Sequence, residues 1–134
     1  EAKFRFQELM RPFGGVKCMK PQASEVTGIT NDMLMDARTV REVFNDFADF
    51  IGDDVLIGFN NMRFDAPRLR RAGRYAGRII TNPQIDLMLL ARHKGIHGKL
   101  GELADMFGIV NPSAHRAFAD AWTTAGIYLE ILKR

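Results

Sequence analysis

An α/β fold is what this 134-residue chain predicts, and three observations carry the prediction. Residues 55–59 (VLIGF) are a short, continuously apolar run, the pattern of a strand buried on both faces. Residues 39–51 repeat apolar side chains at helical spacing. Along the rest of the chain, strand-like runs alternate with helix-like ones, the order that covers a sheet with helices.

The elements follow in sequence. Residues 3–10 (KFRFQELM) alternate as a strand does and stop at Pro12-Phe-Gly-Gly. A loop runs through Pro21, then a short turn of helix over Asn31–Asp36. The 39–51 helix presents Val40, Val43, Phe44, Phe47, Phe50 and Ile51, with Thr39 as its N-cap and Glu42 three residues on, the spacing of a capping box. After the 55–59 strand a helix begins near Asp65, with Pro67 tolerated in its first turn. Residues 83–92 give a brief strand leading into a helix, and 99–107 a short helix closed by Gly108. The last helix spans about 116–132 and is expected to bury Phe118, Ala121, Trp122, Ala125, Leu129 and Leu132.

Length and composition bound the function classes. The chain is one domain's worth of sequence, expected as a single unit over 1–134. A charged fraction of 26% and a hydrophobic fraction of 46% are those of an ordinary globular protein. No apolar run reaches the roughly 20 residues of a spanning helix, so no membrane role is expected. The single Cys18 cannot form an internal disulfide, which points to a reducing, cytoplasmic setting. The first residue is Glu1, which points to a piece of a longer protein. The net charge of +3 is compatible with nucleic acid. Arg63, Arg68, Arg70, Arg71, Arg74 and Arg78 crowd the segment after the 55–59 strand, and their position beside Asp65 favours a phosphate-facing role for some of them over a merely solvated face.

Three residues carry candidate chemistry. Asp65 follows the apolar strand at its carboxyl end, where ligand sites of α/β folds cluster. His115 and Asp120 are five apart, and on one regular helix they would diverge by roughly 140°. They converge only if His115 sits on the loop before the helix, which the turn residues Asn111-Pro112-Ser113 favour. Each alone has a plain structural use: a histidine or aspartate at a helix start also caps it or answers its macrodipole. Two carboxylates and an imidazole around one cleft suit a hard divalent cation and a general base.

These residues sit in segments with a family resemblance. LIGFNNMRFDAPRL resembles the second motif of the DEDDh 3′–5′ exonucleases, the superfamily of the DNA polymerase III proofreading subunit, ribonuclease T and oligoribonuclease. HRAFADAWTTAGIYLEIL resembles the third motif, with its His-x4-Asp spacing, and VTGITNDMLMDARTVREVFNDFADFIGDD the family's GIT turn and following helix. IDLMLLAR and LGELADMFGI are similar to the two elements between motifs. The resemblance implies a ribonuclease H-like mixed sheet flanked by helices. It implies Asp65 and Asp120 as ligands of Mg²⁺ or Mn²⁺ in a two-metal scheme, and His115 as the base, an imidazole having an ordinary pKa of roughly 6.5. Gly28, Ile29 and Thr30 would lie near the terminal nucleotide, with a motif asparagine at Asn60 or Asn61. Phe64 would support Asp65 from the core, and Asp86 would be structural, a helix cap.

One departure qualifies the expectation. The family's first motif, an Asp-x-Glu pair, does not precede KFRF, and residues 3–10 resemble the family's third strand. The first two strands and two acidic ligands are therefore expected to be missing from this chain, which would be weakly active or inactive alone, or would borrow a strand in a swapped homo-oligomer. The expected partners are single-stranded nucleic acid 3′ ends, DNA or RNA, and a DNA polymerase. Two other readings compete: an inactive exonuclease-like module that binds nucleic acid or a polymerase, and an unrelated α/β domain with coincident motifs.

Overall fold

The computed structural model describes residues 5–12, 19–111 and 115–134. Among these, four short strands and seven helices alternate, and the chain divides into two compact units, Glu1–Asp53 with Leu69–Thr81 and Asp54–Arg68 with Asn82–Arg134. Cys18, the Phe13-Gly-Gly turn and Pro112-Ser113 lie outside the described residues.

In the first unit, β1 (Met10–Arg11) pairs in parallel with β2 (Arg38–Thr39). The alternating run expected as a strand over 3–10 thus reaches regular pairing only at its end, and residues 5–9 are irregular. The loop expected through Pro21 gives way to a helix, α1 (Pro21–Thr27), which starts on proline and ends at Gly28 in the left-handed conformation (φ 70°). It buries no residue, so no apolar period marks it. Helix α2 (Asn31–Met35) is capped by Thr30, whose hydroxyl accepts from the Met33 amide.

Helix α3 (Val40–Ile51) opens with the expected capping box. The Glu42 amide donates to Thr39 Oγ1 at 3.3 Å, and Glu42 Oε2 accepts from the Thr39 amide at 2.9 Å. The Thr39 hydroxyl also donates to Glu42 Oε2 at 2.7 Å, and that bond first, then the Thr39 amide, holds the Glu42 carboxyl below its usual range. Val40, Phe44 and Ala48 meet Ala72 and Ala76 from α4 (Asp65–Ala76) in this unit's core, with Phe47, Leu69 and Ile80 packed against them; Phe50 stays outside it.

The second unit is built on β3 (Leu56–Gly58) and β4 (Gln84–Asp86), parallel and in register from Leu56↔Gln84 to Gly58↔Asp86. Helices α5 (Leu87–His93), α6 (Leu100–Met106) and α7 (Ala117–Leu132) follow. Their core is Leu87, Ala91, Leu103, Ala104, Ile127 and Ile131, all essentially buried. As expected, α6 closes at Gly108, with φ 67° and the Ile109 amide bonded back to Ala104 O.

Two expectations about burial are corrected. The 55–59 run is not covered on both faces: Val55 and Ile57, two residues apart on one face of the pleat, are exposed. Helix α7 turns the opposite face inward. Thr123, Thr124, Ile127 and Ile131 are buried, while Trp122, Leu129 and Leu132 are 52%, 58% and 58% exposed and Ala121 and Ala125 also face outward. Both faces of this helix are apolar enough to be a core face. The threonine face is usable because its hydroxyls bond back to Ala119 O and Asp120 O at 2.9 and 2.8 Å, which removes the cost of burying them.

A close approach at Gly73 yields a test. Helix α4 ends with the Arg78 amide on Gly73 O and the Gly77 amide on Arg74 O, Gly77 having φ 76°. A Cβ on Gly73 would stand 2.5 Å from the Arg78 carbonyl oxygen, a backbone atom, and 3.4 Å from the Phe44 ring. Alanine gains about 1 kcal/mol of helix propensity, but forcing that oxygen aside costs about 1–3 kcal/mol. Gly73→Ala is therefore expected to lower the urea midpoint, with a net loss of about 1 kcal/mol at unchanged m-value.

Candidate active site

Asp65 is the first residue of α4. The chain reaches it through a tight turn in which Asn60 adopts φ 56°. The Phe64 amide donates to Asn60 O at 3.3 Å and the Ala66 amide to Asn61 O at 2.8 Å, so Asp65 sits between two residues hung from the turn. Asp65 keeps an exposed surface. Chain packed around its carboxyl nevertheless raises its pKa, and the charge of Asp86 adds to the rise, against Arg68 and the Asp65 amide, which favour the ionised form.

The third motif has the geometry that spacing required. Helix α7 begins at Ala117, so His115 lies on the preceding loop and Asp120 in the first helical turn. His115 takes a left-handed conformation (φ 69°), and its main-chain amide donates to Asp120 Oδ1 at 3.3 Å. Asn111 Nδ2 donates to the same oxygen at 3.0 Å. Asn111 carried no signal in the sequence beyond its place in a turn, yet it is the side chain that holds Asp120. Its own Oδ1 is buried with no partner among the described residues, and turning the amide over would set two oxygens against each other, so the donor faces the carboxylate.

The remaining expected residues fall as follows. Asn61 is buried and its Nδ2 donates inward to Gln84 Oε1 at 3.0 Å. Asn60 is half-buried. Gly28 closes α1 and Thr30 opens α2, both in the first unit, and Ile29 O accepts the Ser24 hydroxyl. Phe64, expected in the core, is 46% exposed, with the Arg63 and Arg68 guanidinium carbons each 5.7 Å from its ring centre. Asp86 caps α5 as expected, accepting from the Met88 amide. Of the arginine cluster, Arg78 is bound to Asp49 and Asn45 at 2.8 and 3.2 Å, and Arg68 Nη1 donates to Phe64 O. Arg70, Arg71 and Arg74 are exposed. Among the described residues no three acidic, histidine or cysteine side chains gather closely enough to hold a metal by themselves.

The raised pKa of Asp65 sets a sign for stability. A carboxyl whose folded pKa lies above its unfolded value favours the folded state fully while protonated in both states, and that contribution is lost as pH rises through the folded pKa. Asp65→Asn removes a charge that the fold disfavours at neutral pH. The variant's Tm should exceed the wild-type value by a few degrees at most near neutrality, and the gain should vanish at about pH 3, where both states hold the proton. Thermal melts at the two pH values check this, and an equal shift at both would contradict it.

Comparisons with known proteins bear on the family and the fold. The family profile described as "Exonuclease" (RNase_T) matches residues 3–128. The DNA polymerase III subunit epsilon of Aquifex aeolicus is 35% identical over 114 residues, covering 81% of this chain and 55% of the relative. The PolC-type DNA polymerase III of Bacillus subtilis is 38% identical over 114 residues, 81% of this chain and 8% of that one. The chain thus spans about half the length of the epsilon relative and a small part of the PolC-type one. A solved structure described as exonuclease X in complex with 5′ overhanging duplex DNA superposes with a TM-score of 0.69 at 25% identity, covering 93% of this chain and 70% of the other. Its match places these strands and helices in the ribonuclease H-like exonuclease fold. With the profile spanning nearly its whole length, the chain belongs to the exonuclease family.

Proposed function

We propose that this chain is a metal-dependent 3′–5′ exonuclease domain of the proofreading type, working in the cytoplasm on the 3′ ends of single-stranded DNA or RNA in association with a DNA polymerase. The observation that carries the proposal is the pair of carboxylates at helix starts in one unit, Asp65 on α4 and Asp120 on α7, with His115 bonded to the second through its main chain. Their oxygens are the hard donors that Mg²⁺ or Mn²⁺ prefers. Asp120 Oδ1 accepts from Asn111 and His115, so Oδ2 is the oxygen that would be offered to a cation.

Asp65 and Asp120 would hold the cation, which when bound lowers the pKa of water and neutralises charge on the phosphate. The His115 imidazole, on an exposed loop residue, accepts the proton of the attacking water. Asn60 or Asn61 is the proposed asparagine contact to the terminal nucleotide, and Gly28, Ile29 and Thr30 of the first unit are proposed for nucleotide contact on the family resemblance alone. The inward bond of Asn61 to Gln84 makes Asn60 the better choice of the two.

Two carboxylates are a thin ligand set, so this 134-residue chain is expected to be weakly active or inactive by itself. The exposed apolar face of α7 and, among the described residues, the single strand neighbour of β3 support completion of the domain by further polypeptide, a strand borrowed from a second copy being one form. The same surfaces favour the second reading, an inactive module that docks a polymerase.

Digestion of a 3′-labelled single strand with Mn²⁺, comparing this chain with an N-terminally extended form, separates the two readings. The expected outcome is activity in the extended form, reduced by about 10²–10⁴ in His115→Ala, and little in the 134-residue chain. No activity in either form sinks the enzyme reading. A monomeric, cooperatively melting and fully active 134-residue chain contradicts the incomplete-domain part.

A further inference from the structure

Asp86 is a buried acid that the proposed chemistry does not use. It ends β4 opposite Gly58, the last residue of β3, and is 7% exposed. Its Oδ1 accepts from the Met88 amide at 3.0 Å, which caps α5, and also from the Asn60 amide at 2.9 Å, 26 residues away in sequence. Its Oδ2 accepts from the Met62 amide at 3.3 Å. A helix cap needs only the first of these bonds. The other two grip the turn that leaves β3.

We propose that Asp86 is a positioning residue for Asp65, acting through the Asn60–Met62 turn. The path is continuous. Asp86 takes the amides of Asn60 and Met62, and the carbonyls of Asn60 and Asn61 take the amides of Phe64 and Ala66, on either side of Asp65. A main-chain turn held on both its donors and its acceptors has little freedom, and a left-handed Asn60 (φ 56°) persists only where its surroundings enforce it. A carboxylate supplies that hold better than a neutral acceptor, since its bonds to amides are charge-assisted and two oxygens serve three donors. The inference rests on the metal-binding role proposed for Asp65, and its test is separable from that role.

Asp86→Ser divides capping from clamping. A serine hydroxyl can still accept from the Met88 amide, but it is too short to reach Asn60 and Met62 as well. In the 134-residue chain, amide exchange and the side-chain couplings of Asp65 are measured by NMR. The expected result is exchange at Asn60 and Met62 faster by about tenfold or more, protection of Met88 retained, and Asp65 averaging between χ1 rotamers where the wild type holds one. Asp86→Asn is the second variant, should serine fail to fold. It keeps one carbonyl oxygen for Asn60 and Met88 and turns a donor towards Met62, so only Met62 should lose protection. Wild-type protection at Asn60 and Met62 in both variants, or an unchanged Asp65 rotamer, overturns the proposal. Added Mn²⁺ judges the metal reading separately, in the N-terminally extended form: Asp65 signals there that ignore Mn²⁺ sink that reading, while exchange and couplings in the 134-residue chain still decide the clamp.

Discussion

The parallel pairing of β3 with β4 is the constraint on which the second unit depends. Its register sets Gly58 beside Asp86, so both strands finish at one level and the turn after β3 passes over the acid that starts α5. Gly58 is part of that arrangement. A Cβ there would stand 2.5 Å from the Asn61 Cβ, and the turn could not fold back so closely. The Asn61 amide then reaches Gln84 on the neighbouring strand, which ties the turn to β4 a second time. Three residues of strand pairing thereby determine where α4 starts and where its first carboxylate lies.

The two carboxylates are restrained by different means. Asp65 is held indirectly, by main-chain bonds on both sides, and its own carboxyl is left to a setting that raises its pKa. Asp120 is held directly, with one oxygen taken by an asparagine side chain and a main-chain amide. A left-handed histidine is what brings that amide into place, so the conformation of His115 and the orientation of Asp120 are one feature. Substituting the imidazole leaves the main-chain bond available. Loss of His115 chemistry and loss of Asp120 orientation are therefore distinct perturbations.

Legibility in the sequence followed the physics of each signal. The Thr39–Glu42 capping box, the Pro67 first turn and the Gly108 stop depend on neighbouring residues and could be read directly. Helix α1 could not be read from periodicity because it buries nothing. Its marks were the proline that begins it and the glycine that ends it. In α7 periodicity was present twice over, since Phe118, Trp122, Ala125 and Leu129 make as good an apolar stripe as Thr123, Ile127 and Ile131. What permits the threonine face to turn inward is satisfaction of two threonine hydroxyls by the helix's own carbonyls, a local bond that a hydrophobic count does not include. At the site, the loop position of His115 followed from helix geometry together with the turn residues Asn111-Pro112-Ser113. The Asn111 bond to Asp120 and the long-range bonds of Asp86 did not, because side-chain contacts over 9 to 26 residues leave no period.

The electrostatics of the second unit give the last step. Asp86 is buried and its oxygens are spent on three amides, so it cannot itself serve as a ligand without releasing the turn. Its charge nevertheless reaches Asp65 and opposes ionisation there. Arg68 leans the other way and outweighs it, its guanidinium anchored by the bond from Nη1 to the Phe64 carbonyl. Burial of the carboxyl, more than the charge of Asp86, thus makes ionisation of Asp65 unwelcome in the free protein. A positive ion at Asp65 relieves that opposition, whereas removing the charge relieves it without any ion. Orientation would come from the clamp, while the charge of Asp86, outweighed by that of Arg68, adds only a small part of what opposes ionisation at Asp65.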